Sequence, residues 1–154
     1  MSRWLAIDHG TKRIGVAVGD AAGGVVSPLE VLPAQPLALA IEQIKRLADE
    51  YGATGLVVGW PINMDDTEGP QAKLARQMGV QLAGATGLDV RLWDERLTSF
   101  EADQALIGQY TRKQKKQRQD AIAAAAILRD FFAGNGPVTA AKPGDVANGG
   151  DSSR

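Results

Sequence analysis

The chain has 154 residues, 44% of them hydrophobic and 23% charged, and its 17 Lys+Arg against 18 Asp+Glu leave a formal net charge of −1. This length indicates one domain, and the composition excludes collagen-like, coiled-coil and wholly disordered proteins. The absence of cysteine excludes disulfides, thiol catalysis and cysteine-ligated metal sites, and it favours a reducing cytoplasm. No apolar run has the length of a membrane span, and we expect no signal peptide.

Three short strands are predicted at the amino end, over Trp4–Ile7, Ile14–Val18 and Val25–Leu32. The first strand ends at Asp8 and a glycine turn, so we expect it to pair with the second as a hairpin. Pro28 lies inside the third strand. Because proline cannot donate to a strand ladder, the third strand should lie at a sheet edge.

The middle of the chain alternates between helices and strands. Apolar residues between Leu37 and Tyr51 recur at helical spacing, and the wholly apolar Leu56–Val58 that follows is typical of a central parallel strand. Pro70 fits the first turn of a second helix, and Leu88–Trp93 predicts a fifth strand. These elements indicate an α/β protein with a mixed sheet and helices on its faces.

The last third of the chain contains two more predicted helices. Thr98 and Glu101 have the spacing of a capping box and would begin the first of them. A basic, polar connector over Thr111–Gln119 precedes an alanine-rich helix that begins at Asp120. Asp120 shares one face of this helix with an apolar stripe of Ala124, Ile127, Leu128 and Phe131. From Gly134 onward, small residues dominate, so we expect one folded domain over residues 1–133 and a disordered tail over 134–154.

Carboxylates occupy the predicted carboxyl ends of strands, where open α/β sheets form their sites. Asp8 ends the first strand, Asp94 and Glu95 follow the fifth, and Asp120 begins the last helix. Converging carboxylates need a cation, and Mg²⁺ or Mn²⁺ favours such hard oxygen ligands. Taken singly, each has another interpretation: a turn residue for Asp8, an exposed ion-pair cluster for residues 94–96, and a helix cap for Asp120.

Four segments resemble the motifs of the YqgF (RuvX) family, whose members are proposed pre-16S rRNA nucleases related to RuvC-type Holliday junction resolvases. They follow one another in the family's order, with similar gaps, over residues 3–133. The segments are Asp8–Val18, Val57–Asp65, Asp94–Thr98 and Asp120–Leu128.

This resemblance implies an RNase H-like fold with a five-stranded sheet of order 3-2-1-4-5, strand 2 antiparallel, and helices on both faces. It implies a Mg²⁺- or Mn²⁺-dependent nuclease in which Asp8, Glu95 and Asp120 are catalytic and hold the metal, with Asp94 as a further candidate. Water would attack phosphorus in line, leaving 5′-phosphate and 3′-hydroxyl ends. The family usually has glycine where this chain has Asp66, and leucine where it has Trp60.

Phosphate-contacting residues are expected around these carboxylates. Gly10, Thr11 and Lys12 form a turn whose backbone and side chains offer donors, and Arg96 is a candidate for phosphate contact or carboxylate pairing. A basic run precedes Asp120 and is either an exposed segment or a backbone anchor; it comprises Arg112, Lys113, Lys115, Lys116 and Arg118. Trp60 and Trp93 have two possible roles, core packing and base stacking, of which packing is favoured.

The leading hypothesis is a cytoplasmic endonuclease that processes the 5′ end of pre-16S rRNA, with structured RNA and ribosomal precursor particles as partners. A resolvase of four-way DNA junctions has the same fold and would act as a homodimer rather than a monomer. A non-catalytic RNA-binding assembly factor is a further alternative. A sugar-kinase or actin-like ATPase begins with a similar turn, but such proteins need two domains of this kind.

Overall fold

The structure, a computed structural model, describes residues 2–97 and 112–146, with the side chains of 97 and 112–117 left out of the description. Its elements are β1 Arg3–His9, β2 Arg13–Asp20, β3 Val26–Pro33, α1 Leu37–Tyr51, β4 Gly55–Trp60, α2 Pro70–Thr86, β5 Asp89–Asp94, a 3₁₀ turn Glu95–Leu97, α3 Arg112–Ala133, α4 Gly136–Thr139 and a second 3₁₀ turn Pro143–Asp145.

The five strands form one sheet in the order β3-β2-β1-β4-β5. β2 is antiparallel to both of its neighbours, whereas β1, β4 and β5 run parallel. The predicted α/β class and strand order are therefore confirmed. Pro28 does lie on an edge strand, next to a register shift opposite Val16 and Ala17 that relieves the pairing of β3 with β2.

Helices cover both faces of the sheet, and alternate residues of β1 point into two separate cores. Leu5 and Ile7 pack on one face with residues of α1 and α2, while Trp4 and Ala6 pack on the other face with α3. Because both faces are covered, the central strands are apolar throughout rather than alternating. Because β1, β4 and β5 are parallel, their carboxyl ends lie at the same edge of the sheet. Helices pack on both faces next to that edge.

α3 begins earlier than the sequence predicts. It runs from Arg112 to Ala133, so the expected connector over Thr111–Gln119 is helical from Arg112, and Asp120 lies inside the helix instead of beginning it. The segment was interpreted as a connector because it lacks apolar residues. Lys, Arg and Gln nevertheless have high helix propensity, and the buried alanine-rich half downstream continues the same helix.

Residues 134–146 are ordered, in contrast to the disorder expected from Gly134 onward. The N–H of Leu92 on β5 donates to the carbonyl of Ala141 at 2.8 Å, so this segment covers the edge of the sheet at β5. A Cβ on Gly79 of α2 would lie 2.7 Å from Pro143, which shows how closely the tail packs. Residues 147–154 and the predicted helix start at Thr98 and Glu101 lie outside the described residues.

Across residues 2–97 and 112–146, no helix combines the length and the apolar character needed to cross a membrane.

Candidate active site

Asp8 lies near the carboxyl end of the central strand β1, between two glycines on the neighbouring strands. It pairs with Gly15 on β2. The preceding residue, Ile7, pairs with Val58 on β4, and this register brings Gly59 level with Asp8 on the other side. Paired residues in adjacent strands point to the same face, so the Asp8 side chain has no bulky neighbour on either strand.

The two glycines let other elements approach Asp8 closely. A Cβ on Gly15 would collide with the backbone carbonyl of Asp120 in α3. A Cβ on Gly59 would lie 3.1 Å from the carboxyl carbon of Glu95. Asp120 and Glu95 therefore approach the face of the sheet that carries Asp8, one across β2 and the other across β4. Each passes over a glycine, which has no side chain to block it.

The three carboxyl groups influence one another electrostatically. The pKa of Asp8 is raised from 3.8 to about 6, mainly by burial and further by the negative charge of Asp120. Burial, followed by the charges of Asp8 and Asp94, raises the pKa of Glu95 from 4.5 to about 7. Asp8 is thus the shared member of two carboxylate pairs, one with Asp120 and one with Glu95.

Asp94 differs from Glu95 because it has a cationic partner. Both of its oxygens accept hydrogen bonds from the Arg96 guanidinium, at 2.7 to 3.1 Å. Burial alone would raise the pKa of Asp94, but the bonds from Arg96 outweigh it and the pKa is lowered. Asp94 is therefore paired with Arg96, whereas no cation pairs with Glu95 among the side chains that the structure describes.

Asp120 is paired with Arg13, a residue that the sequence analysis did not single out. Nε of Arg13 donates to Oδ2 of Asp120 at 2.8 Å, and the two side chains are 64% and 31% exposed. The apolar stripe predicted for this helix is confirmed, since Ala124, Leu128 and Phe131 are fully buried below Asp120. Arg13 is the first residue of β2 and lies two residues before Gly15, so strand alternation places both on the face that carries Asp8. This spacing is the feature of the sequence that could have identified Arg13.

The carboxylates suit a hard divalent cation. Mg²⁺ is usually held by one or two protein carboxylates, with water and substrate phosphate completing the shell. The pairs that Asp8 forms with Asp120 and with Glu95 each supply two such ligands. Within residues 2–97 and 112–146, no three acidic or histidine side chains form a ready-made metal cluster. These carboxylates therefore suit an ion whose remaining ligands are water and substrate phosphate, rather than an ion bound only by protein side chains.

The turn after β1 lies beside these carboxylates. The N–H of Gly10 donates to the carbonyl of Arg13 at 2.9 Å, and a Cβ on Gly10 would lie 2.8 Å from that oxygen, so glycine makes the turn possible. Thr11 and Lys12 are exposed at its tip. Arg112, Lys113, Lys115 and Lys116 lie in the first turns of α3, and their side chains are outside the described residues.

A family model described as "RuvX: Holliday junction resolvase" matches residues 2–134. The chain belongs to the RuvX family. The resemblance found in the four motifs is thereby confirmed, and with it membership of a group of nucleases.

Several RuvX relatives bear the name "Putative pre-16S rRNA nuclease". One from Pelotomaculum thermopropionicum is 40% identical over 136 residues, which cover 87% of this chain and 88% of the relative. One from Chloroflexus aurantiacus is 41% identical over 129 residues, covering 83% and 84% of the two chains. A third, from Geobacillus thermodenitrificans, is 38% identical over 133 residues, covering 84% and 96%.

Solved structures confirm the RuvC-like, RNase H-like fold. Thermus thermophilus RuvC in complex with a Holliday junction substrate has a TM-score of 0.58 at 16% identity, covering 92% of this chain and 99% of RuvC. The fowlpox virus Holliday junction resolvase has a TM-score of 0.52 at 11% identity, covering 86% and 99%.

The loop between β4 and α2 departs from the RuvX pattern at Asp66, and the structure explains why the change is tolerated. Asp66 adopts a left-handed backbone with φ 69°, the conformation expected where the family has glycine. Its carboxylate also accepts a hydrogen bond from Arg96 at 2.9 Å. Arg96 further donates to the carbonyls of Asn63 and Met64, so it joins this loop to the end of β5.

A buried ion pair that sequence reasoning missed lies under the same loop. Glu68 and Arg76 are only 4% and 8% exposed in their side chains and pair at 2.9 Å. Glu68 also accepts the indole N–H of Trp60 at 2.8 Å, so Trp60 is tied into this network. Trp93 is 8% exposed and packs edge-on against Phe131. Core packing is therefore the role of Trp93, whereas Trp60 is half-buried.

Proposed function

We propose that this protein is a divalent-metal-dependent endonuclease of structured nucleic acid, with Asp8, Glu95 and Asp120 as its catalytic carboxylates. The observation that carries the proposal is the position of Asp8, which is partly buried at the carboxyl edge of the sheet beside Gly15 and Gly59, where Asp120 and Glu95 approach it. Folding holds these like charges together at an energetic cost that a structural role does not explain.

Asp8 and Asp120 would hold one Mg²⁺ or Mn²⁺ ion, and Asp8 and Glu95 a second. When bound, such ions would supply positive charge beside the phosphate and lower the pKa of water, so that hydroxide is available as the nucleophile near neutral pH. The chain itself contributes orientation: β1 fixes Asp8, the close approach at Gly15 fixes Asp120, and the 3₁₀ turn fixes Glu95. Asp94 serves instead to hold Arg96, which keeps the loop over residues 61–69 beside the site.

Substrate phosphates would contact the turn after β1 and the start of α3. Gly10, Thr11 and Lys12 present small and donor-bearing groups next to Asp8. The basic run lies in the same helix as Asp120 and less than three helical turns before it, which makes it a candidate for phosphate contact. Each phosphate neutralised in this way makes the affinity fall further with salt.

The preferred substrate in this proposal is the 5′ end of pre-16S rRNA in ribosomal precursor particles, and the preferred location is the cytoplasm. The support is the name shared by relatives at about 40% identity across most of their length. The absence of cysteine from the chain agrees with a reducing compartment.

The test compares parent protein and Asp8→Asn on a labelled pre-16S rRNA fragment with Mn²⁺. The matched control is Asp49→Asn, which removes an exposed carboxylate of α1. We expect Asp8→Asn to abolish cleavage with the fold retained, and Asp49→Asn to cleave like the parent. Equal cleavage by Asp8→Asn and the parent refutes the assignment.

Resolution of four-way DNA junctions is the second candidate, and the description of the family model favours it. Symmetric incision of a junction needs two sites related by a two-fold axis, hence a dimer. The same variants are therefore assayed on a synthetic junction while the mass in solution is measured. Paired symmetric cuts by a dimer support a resolvase, whereas cleavage of precursor RNA by a monomer supports the rRNA nuclease. A protein that binds RNA but neither binds Mn²⁺ nor cleaves is an assembly factor.

A further inference from the structure

Arg13 is the cation that neutralises Asp120 in the described structure. Its Nε lies 2.8 Å from Oδ2 of Asp120, and this is a contact between residues 107 positions apart. Asp8 and Glu95 have no comparable ion pair among the described residues. Of the three site carboxylates, Asp120 is thus the one already balanced by a side chain of the protein.

The backbone of Arg13 is held by neighbouring strands and the turn, whereas its side chain is largely exposed. Arg13 pairs with Pro33 on β3, and its carbonyl accepts the N–H of Gly10, so the strand start is anchored. It is two residues before Gly15, which directs its side chain to the same face as Asp8. The side chain is 64% exposed and the structure describes one hydrogen bond from it, through Nε. The two Nη groups therefore remain available to an incoming acceptor.

A divalent ion and this guanidinium compete for the same carboxylate. An ion held by Asp8 and Asp120 would place two positive charges beside Arg13, and like charges at such range repel. An exposed arginine–carboxylate pair is weak and can be displaced. A guanidinium released there would face the phosphates of a bound strand, which it matches as a planar fork of donors.

We propose that Arg13 is a resident cation of Asp120 that a divalent ion displaces, and that its freed guanidinium then binds a phosphate of the nucleic acid. The second half rests on the proposed function, whereas the first half concerns only the metal and this chain. Arg13 thereby becomes a substrate-binding residue whose contribution depends on metal loading.

The first test is calorimetric titration of Mn²⁺ into nucleic-acid-free protein at 0.15 M salt. Arg13→Gln removes the competitor, so we expect Mn²⁺ to bind about two- to fivefold tighter, as the loss of an exposed ion pair allows. Lys12→Gln is the matched control, because it removes the same charge one residue away without the contact to Asp120. Arg13→Lys keeps the charge and should stay close to the parent.

The second test measures binding of a fluorescein-labelled stem-loop RNA with and without Ca²⁺. We expect Ca²⁺ to strengthen RNA binding by the parent more than RNA binding by Arg13→Gln. In Ca²⁺, but not without it, the RNA affinity of the variant should fall less steeply with salt concentration than that of the parent.

Two results overturn the inference: weaker Mn²⁺ binding by Arg13→Gln, which makes Arg13 a support for the metal ligand, or equal effects of Arg13→Gln and Lys12→Gln on Mn²⁺ binding in the absence of nucleic acid. Both require that the parent binds Mn²⁺. A parent that binds no Mn²⁺ contradicts the proposed function itself, so the two failures are distinguishable. Circular dichroism melts of each variant exclude unfolding as the cause.

Discussion

Gly15 of β2 lies directly against the backbone carbonyl of Asp120, so α3 touches the sheet where the strand has no side chain. The same glycine pairs with Asp8 across the hairpin. One residue without a Cβ therefore sets the approach of two carboxylates that come from opposite ends of the chain.

Replacing this glycine should move the helix. In Gly15→Ala, the new methyl group meets backbone, which cannot rotate away as a flexible side chain would. We expect a loss of roughly 2–4 kcal/mol in the free energy of unfolding from overpacking, together with loss of metal-dependent cleavage. Urea denaturation and a cleavage assay measure the two effects.

Gly84→Ala is the control for that variant. Gly84 is an exposed position in α2 where an added Cβ meets nothing within 4 Å. Alanine there should stabilise the protein by about 0.5–1 kcal/mol through helix propensity alone, and activity should not change. A Gly15→Ala protein as stable and active as Gly84→Ala contradicts the role assigned to the close approach.

The sequence was informative where one local rule decides the structure. Pro28 predicts an edge strand because proline lacks a donor, and the apolar stripe below Asp120 predicts a buried helical face. It failed where tertiary contacts decide. The tail lacks large apolar residues, yet a backbone hydrogen bond to Leu92 and the contact of Pro143 with Gly79 order it.

Arg13 illustrates a further limit on prediction from sequence. Lys12 and Arg13 are neighbours of equal charge, and which of them points at the carboxylates depends on where β2 begins. The predicted strand began at Ile14 and left Arg13 in the turn, where strand alternation does not fix the direction of a side chain. Because β2 begins at Arg13, this residue points to the same face as Gly15 and reaches Asp120.

The stability of the metal-free protein should depend on pH in a defined direction. The folded-state pKa values of Asp8, about 6, and Glu95, about 7, lie above the ordinary 3.8 and 4.5. The folded protein thus binds more protons than the unfolded chain between pH ~4 and ~7. Linkage then requires the free energy of unfolding to fall as the pH rises through this window, on the order of 1–3 kcal/mol.

Glu95→Gln should flatten this dependence, because the amide has no charge to bury. Urea denaturation in chelator at pH 5 and pH 8 is the measurement, and the variant should exceed the parent in stability at pH 8 although it loses metal-dependent cleavage. Glu42→Gln, at an exposed position of α1, controls for loss of a carboxylate in general. An identical pH slope in Glu95→Gln and the parent contradicts the electrostatic account.

Arg96 should matter more for activity than for stability. Arg96→Gln removes the ion pairs with Asp94 and Asp66. It also removes the hydrogen bonds from Arg96 to backbone carbonyls of the loop over residues 61–69. Because both ion pairs are accessible to solvent, we expect only a small loss in the free energy of unfolding. Cleavage should fall by about tenfold or more, since the neighbouring Glu95 and the loop are no longer held in place.

Asp66→Gly separates the two effects of that loop residue. It removes one ion pair but restores glycine at a left-handed position, so the free energy of unfolding should change by less than about 1 kcal/mol. Cleavage should stay near that of the parent, because Asp94 still holds Arg96. If Asp66→Gly lowers cleavage as much as Arg96→Gln does, the Asp66 contact rather than the Asp94 contact positions the site.

The buried pair of Glu68 and Arg76 should be the most costly to break. Glu68→Gln removes the negative charge that pairs with the Arg76 guanidinium, whose side chain is 8% exposed, whereas Gln still offers Trp60 an acceptor. Breaking one side of a buried ion pair costs roughly 3–5 kcal/mol. Asp89→Asn, which breaks the more exposed pair with Arg91, should cost about 1 kcal/mol or less.

The double variant Glu68→Leu/Arg76→Leu removes both charges and should be more stable than Glu68→Gln, although it leaves the Trp60 indole N–H without its acceptor. Urea denaturation of the four proteins decides the order, and a double variant less stable than Glu68→Gln would mean that the hydrogen bonds of the network outweigh the burial of its charges.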